Sequence, residues 1–191
     1  MNRVDSNIKF VGLHAHSVAG SIFDAIGYPQ AHMDFCYEHG GEALALTDHG
    51  NMNGLAYQVL HAKNMHDMGK DFKPIFGCEA YFIPSIEEWR EEYTKAMEDK
   101  KRSRAAKKDA QSGATVEDEG NSKKTQDVLR RRRHLVLLAQ NQTGLNNLFK
   151  LVSESYKSEN FYRYPRIDYK LLKKYNEGII AASACLGGVY A

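Results

Sequence analysis

The chain has 191 residues, 42% of them hydrophobic and 26% charged, with a net charge of +2. That length allows one globular domain with a real core, or part of a larger one. The charge is too small to argue by itself for nucleic acid or for an anionic membrane. No apolar run approaches the roughly 18 residues of a membrane span, and the polar start MNRVDSN is no secretory signal. Cys36, Cys78 and Cys185 are sparse and odd in number, so reduced thiols and a cytoplasmic location are expected.

Strand and helix patterns alternate along the chain. IKFVGLHAHS reads as a strand, and YPQAHMDFCYEHG as a helix with Pro29 near its start and Gly40-Gly41 past its end. EALALTDHG is a short buried strand and NMNGLAYQVLHAKNMHDMG a helix. Then come KPIFGCEAYFI and HLVLLAQN as strands, QTGLNNLFKLVSESY as a helix, IDYKLLKKYN as a short helical stretch, and GIIAASA as a last strand. Strands alternating with helices imply an α/β fold with a mainly parallel sheet or barrel. Residues 86–133 break the rhythm: they are rich in charge and poor in aliphatics, a composition that buries no core of its own. This segment reads as a surface insertion. Its first part is a helix capped by Ser85 and its middle, DAQSGATVEDEGNSKK, is disordered; the arginines 130–133 have two readings, a nucleic-acid contact or a solvated loop end, with the second favoured.

The strand ends carry the chemistry. His14 and His16 stand two apart, which on a strand puts both imidazoles on one face. Asp24 lies in the following loop. The second strand ends in Asp48 and His49, the third in Glu79, and the last leads to Cys185. In parallel βα folds the carboxyl ends of the strands form the working face. His134 is the exception, because it lies at a strand start. Histidine, carboxylate and thiolate together suit zinc, manganese or iron better than magnesium or calcium, so a multi-metal site is expected. Asp48 has two readings, metal ligand or a partner that orients His49 or a backbone group, with the second favoured. Cys78, facing away from Glu79, and Cys36, inside a helix pattern, read as core. FYRYPRID, with Tyr162, Arg163, Tyr164 and Arg166, mixes aromatics and arginines as single-strand binding surfaces do, or packs as a cleft rim.

HAHS with Asp24, ALTDHGNMNG, KPIFGCEAY, HLVLLAQNQTGLNNL, FYRYPRID and GIIAASACLGG occur in that order. Together they resemble the PHP (polymerase and histidinol phosphatase) domain found at the amino terminus of bacterial replicative DNA polymerase III alpha subunits. The resemblance covers nearly all the chain outside the charged insertion. It implies a distorted (β/α)7 barrel with up to three zinc or manganese ions in a cleft. His14, His16, Asp24, His49, Glu79, His134 and Cys185 fall on the family's ligand positions. It further implies phosphoester hydrolysis, 3′–5′ exonuclease proofreading where the ligand set is complete, and DNA, the rest of the polymerase and other replisome subunits as partners. A late Asp-x-His element of the family has no counterpart here, and only about five strands are expected. The reading is therefore an incomplete barrel, the amino-terminal part of a PHP domain, inactive by itself. The alternatives are a non-catalytic structural module and a stand-alone phosphoesterase.

Overall fold

The computed structural model describes residues 10–109 and 127–190. Helix α1 (Pro29–Glu38) precedes strand β1 (Ala43–Leu46), helix α2 (Leu55–Asp67) and the long strand β2 (Lys73–Phe82). Helix α3 (Ile86–Asp109) follows, then β3 (Arg133–Ala139), α4 (Gln142–Ser155), β4 (Phe161–Tyr162), β5 (Tyr164–Ile167), α5 (Tyr169–Lys174) and β6 (Ile179–Ala182). No helix among the described residues is long and apolar enough to cross a membrane.

Strand β2 organises the sheet, whose order is β4-β5-β2-β3-β6 with β1 also paired to β2. One edge of β2 is shared by two partners in succession. β1 runs parallel to it from Ala43 opposite Lys73 to Leu46 opposite Phe76, and the same register carries on to His49 opposite Glu79. β5 then takes that edge, parallel, with Arg166 opposite Tyr81. Along the other edge β3 runs antiparallel, from Arg133 opposite Phe82 to Leu138 opposite Gly77. β6 is antiparallel to β3, and β4 to β5.

The mainly parallel sheet expected from the alternation is thus corrected to a mixed one. The reason lies between β2 and β3. A parallel crossover returns the chain to the opposite end of the sheet, whereas here the chain leaves at Phe82 and re-enters at Arg133 directly beside it. The first expected strand is also reduced. Gly12 makes a single bridge to Leu44, and the carbonyls of Gly12 and Ala15 accept the amides of Ala45 and Thr47 at 2.8 and 2.7 Å. Residues 12–15 therefore run beside β1 without forming a regular ladder.

Burial on two fronts fixes the layers. Leu148 and Leu151, on the apolar face of α4, pack on Ala80, Phe82, Leu137 and Ile167 of β2, β3 and β5. Met33 of α1 and Met65 of α2 meet Phe72 in a second cluster. Asn141 caps α4 by accepting the Gly144 amide at 2.9 Å. Ser85 accepts the Glu88 amide at 3.2 Å, as a cap of α3 should.

Both arms of the charged excursion are held to the fold. On the outgoing arm Ile86, Trp89 and Ala96 are buried. On the returning arm Leu129 is buried, and the Val128 carbonyl accepts the Trp89 indole N–H at 2.9 Å. The expected disorder of the middle falls mostly on residues 110–126, outside the described residues. Arg166 ties the arms together. It is fully buried and donates to the carbonyls of Leu129, Arg131, Tyr162 and Tyr164 at 2.9–3.1 Å. Its guanidinium lies 4.2 Å from the Trp89 ring centre. Burial lowers its pKa to about 10, which still leaves it charged at neutral pH.

Arg166→Leu removes four donors while their acceptors stay buried. The expected cost is roughly 3 kcal/mol, within the range for a broken buried network. Thermal unfolding of the variant checks this, and an unchanged melting temperature would contradict the role given to Arg166.

Candidate metal centre

The sheet geometry explains why distant residues meet. β3 runs antiparallel, so its first residues lie beside the last residues of β2, and His134 at a strand start reaches the same end as Glu79. β6 is antiparallel to β3 in turn, which delivers Cys185 there as well. The extended segment 12–16 and the loop after β1 supply the rest.

Glu79 is the centre, with no solvent exposure. One of its oxygens, Oε1, lies 3.4 Å from His14 Nε2, 2.9 Å from His134 Nδ1 and 3.9 Å from Cys185 Sγ. The other, Oε2, lies 3.0 Å from His16 Nε2 and 2.8 Å from His49 Nδ1. Asp24 Oδ2 sits on the far nitrogens of the same two rings, 3.3 Å from His16 Nδ1 and 2.6 Å from His49 Nε2. Cys185 Sγ is 3.5 Å from His134 Nδ1. All seven residues singled out as ligands are thus brought together.

The cluster does not satisfy itself. Glu79 Oε2 and His49 Nδ1 are close but not aligned to share a proton, and neither buried atom has a hydrogen-bond partner among the described residues. Buried polar atoms left unpaired in this way are costly, and they point to a missing partner. Three triads, His14–His16–Glu79, His16–Asp24–His49 and His49–Glu79–His134, each place their ligand atoms within 4.8 Å of one another. Imidazole nitrogens with carboxylate oxygens fit a first-row divalent ion.

Charge follows the same geometry. Burial alone would raise the Glu79 pKa, but the imidazoles of His16 and His49 outweigh it and hold the carboxyl well below its usual range. The Glu79 contact raises the pKa of His16 against the opposing effect of burial. Burial acts to lower that of His49, and the contacts to Glu79 and Asp24 overcome it, for a net rise. In His134 burial prevails, and its pKa falls.

Asp48 makes no contact with the rings. Buried, it accepts from the Ser17 amide at 2.6 Å, the Ser17 hydroxyl at 2.8 Å and the Ser21 hydroxyl at 2.9 Å. The Ser21 hydroxyl in turn accepts the His49 amide at 3.0 Å. Asp48 therefore shapes the loop between His16 and Asp24. Gly20 lies so close that an added Cβ would sit 2.6 Å from the Asp48 Cβ. The sequence reading passed over both serines, and also Tyr81. The Tyr81 ring stacks on His49 at 5.8 Å and meets His134 edge-on at 5.4 Å. Burial pushes its hydroxyl pKa up to about 12. Gly50, left-handed at φ 66°, allows the chain to turn after His49 beside Tyr81 and Pro165.

Other expectations resolve plainly. Cys78 is buried, and Cys36 donates weakly to the Ala43 carbonyl. Away from the site, His61 pairs with Asp34 at 2.9 Å. Of the four suggested nucleic-acid contacts, Arg166 is corrected: its donors are spent on backbone carbonyls in the interior. Tyr162 packs against the Ile83–Ile86–Trp89 cluster, while Arg163 is exposed.

These shifts set opposite pH dependences for the bare protein and for metal uptake. The stability from Glu79 is present above its ordinary 4.5 and is lost as pH falls through the lowered value. The contributions of His16 and His49 are present below 6.5 and are lost as pH rises through their raised values. Protein stripped with a chelator is therefore expected to be most stable between these values and to weaken towards pH 8. Zinc or manganese affinity should rise over that same interval, because ligating imidazoles must be neutral. Thermal melts and calorimetric titrations across pH 5–8 test both, and parallel trends would contradict the assignment.

The family model described as PHP domain matches residues 12–191. The chain is 36% identical over 182 residues to the DNA polymerase III subunit alpha of Aquifex aeolicus, covering 94% of this chain and 12% of that protein. It is 34% identical over 183 residues to the same subunit of Treponema pallidum, covering 96% and 12%. The chain thus spans about an eighth of the length of these relatives. Among solved structures, an amidohydrolase from Chromobacterium violaceum superposes with a TM-score of 0.37 at 16% identity, over 75% of this chain and 34% of that one. With the family model running from Gly12 to the last residue, this chain belongs to the PHP domain family.

Proposed function

We propose that this chain is the amino-terminal PHP portion of a replicative DNA polymerase III alpha subunit, and that its histidine–carboxylate cluster is a divalent-metal site for phosphoester hydrolysis. The observation that carries the reading is the convergence of four imidazoles on the two oxygens of one buried carboxylate. Glu79 faces His14, His134 and Cys185 with one oxygen and His16 and His49 with the other, so each oxygen would share a metal with the side chains on its own side. Asp24 and the far nitrogens of His16 and His49 offer a further position. Zinc or manganese is the reading for the metal, since nitrogen, oxygen and sulfur donors meet in one place.

A divalent ion held there supplies Lewis acidity towards a phosphoryl oxygen and a water acidic enough to attack near neutral pH. The chain's own residues do the rest. His134, with its pKa lowered by burial, stays neutral and able to ligate at pH 7. Asp48, through Ser17 and Ser21, holds the segments that carry His16, Asp24 and His49. Such outer contacts keep ligands in working geometry. In a polymerase subunit this chemistry corresponds to removal of 3′-terminal nucleotides, with DNA as substrate and the replisome as setting.

Purified protein is expected to bind zinc or manganese, and His14→Ala combined with His16→Ala should remove most of it by elemental analysis. Equal metal in wild type and double variant would sink the assignment. In a full-length alpha subunit carrying this segment, manganese- or zinc-dependent release of 3′-terminal nucleotides from labelled single-stranded DNA should disappear in His49→Ala. A full-length protein that loads metal yet releases nothing would make the site structural.

A further inference from the structure

One cation beside the cluster has no carboxylate partner among the described residues. Arg132, on the returning arm just before β3, stacks on Tyr164, with its guanidinium carbon 3.9 Å from that ring centre and 5.4 Å from the centre of Tyr81. The two tyrosines meet edge-on at 5.1 Å. Tyr81 is the ring that also touches His49 and His134. Arg132 is therefore one ring removed from the imidazoles.

Its hydrogen bonding is almost unused. Among the described residues its hydrogen bond is a long one, 3.3 Å from Nη1 to the Arg130 carbonyl. Its Nε is buried and without a partner. The neighbouring arginines differ. Arg131 is paired at 3.1 and 2.7 Å with both oxygens of Glu92, and Arg166 is saturated by four carbonyls. A guanidinium that is oriented by aromatic stacking, keeps open donors and lacks a carboxylate partner is suited to a phosphate, which accepts its planar fork at two oxygens.

We propose that Arg132, seated on the Tyr81–Tyr164 pair, holds a backbone phosphate of a polynucleotide strand whose neighbouring phosphodiester lies on the histidine–carboxylate cluster. This rests on the phosphoesterase reading and deepens it, because it selects a strand with several phosphates over a small monophosphate. A phosphate held on the imidazoles and a second held one ring away belong to successive nucleotides. Tyr164, half-buried beneath the guanidinium, completes the aromatic floor of that subsite.

The test uses the 191-residue chain loaded with manganese, its metal content measured on every sample. The two probes are fluorescein-labelled trithymidylate, followed by anisotropy, and thymidine 5′-monophosphate as competitor. Arg132→Gln is expected to weaken trithymidylate binding by about tenfold and to flatten its salt dependence by about one phosphate contact. Binding of the monophosphate and the manganese content should be unchanged. Arg132→Lys, which keeps the charge but loses the planar fork and the stacking, should bind trithymidylate with an affinity between those of wild type and Arg132→Gln and keep the wild-type salt dependence. Unchanged trithymidylate binding in Arg132→Gln overturns the proposal, and so does an equal loss for both probes, which would place Arg132 on the phosphate at the cluster. Weaker trithymidylate binding in Arg132→Gln with an unchanged salt dependence would show a packing role and overturn it too. Wild type that takes up no manganese would instead remove the phosphoesterase reading on which the proposal stands.

Discussion

A single carboxylate, that of Glu79, sets the terms for this structure. It is fully buried, held ionised, and approached by His14, His16, His49 and His134 at 2.8–3.4 Å. An ionised group in the interior is tolerated only when it is paired or coordinated. Glu79 lies on β2, the strand to which β1, β3 and β5 all attach. The sheet order therefore serves two ends at once. It buries the apolar layer under α4, and it brings the segments that carry His14, His16, His49 and His134 to one strand position.

That demand accounts for the departure from a parallel sheet. An additional parallel strand carrying His134 at its start would have presented the ring at the far end of β2. Because β3 runs antiparallel, His134 pairs with Tyr81, two residues from Glu79. The charged excursion between β2 and β3 begins and ends at that same end of the sheet. Arg166 clasps its returning arm through the carbonyls of Leu129 and Arg131. The arm in turn carries Arg132 past Tyr81, so the excursion borders the metal cluster instead of lying remote from it.

Much of this was legible beforehand. The two-residue spacing of His14 and His16 named that pair through strand periodicity, Asp48, His49 and Glu79 were named by their place at strand ends, and α1 was marked by Pro29 and Gly40-Gly41. Strand direction was not legible, because alternating strand and helix patterns carry no sign for the return path of a long polar segment. The hydrogen bonds of Asp48 to Ser17 and Ser21 were missed because serines in a loop resemble any turn. Arg166 misled because an arginine among tyrosines reads the same whether it faces solvent or four backbone carbonyls. Only the packing of Trp89 and the returning arm separates the two. Tyr81 was missed, and Arg132 was weighed only together with its neighbours in the run 130–133, for a related reason: ring stacking across strands leaves no local trace.

The central claim is that Glu79 gathers these imidazoles to hold metal, and it is tested most directly by anomalous diffraction from crystals of the protein grown with manganese or zinc. The account predicts anomalous peaks within coordination distance of Glu79 and of at least two among His14, His16, His49 and His134. Crystals that carry metal elsewhere, with no peak at Glu79 and its oxygens bonded to protonated imidazoles alone, would contradict it.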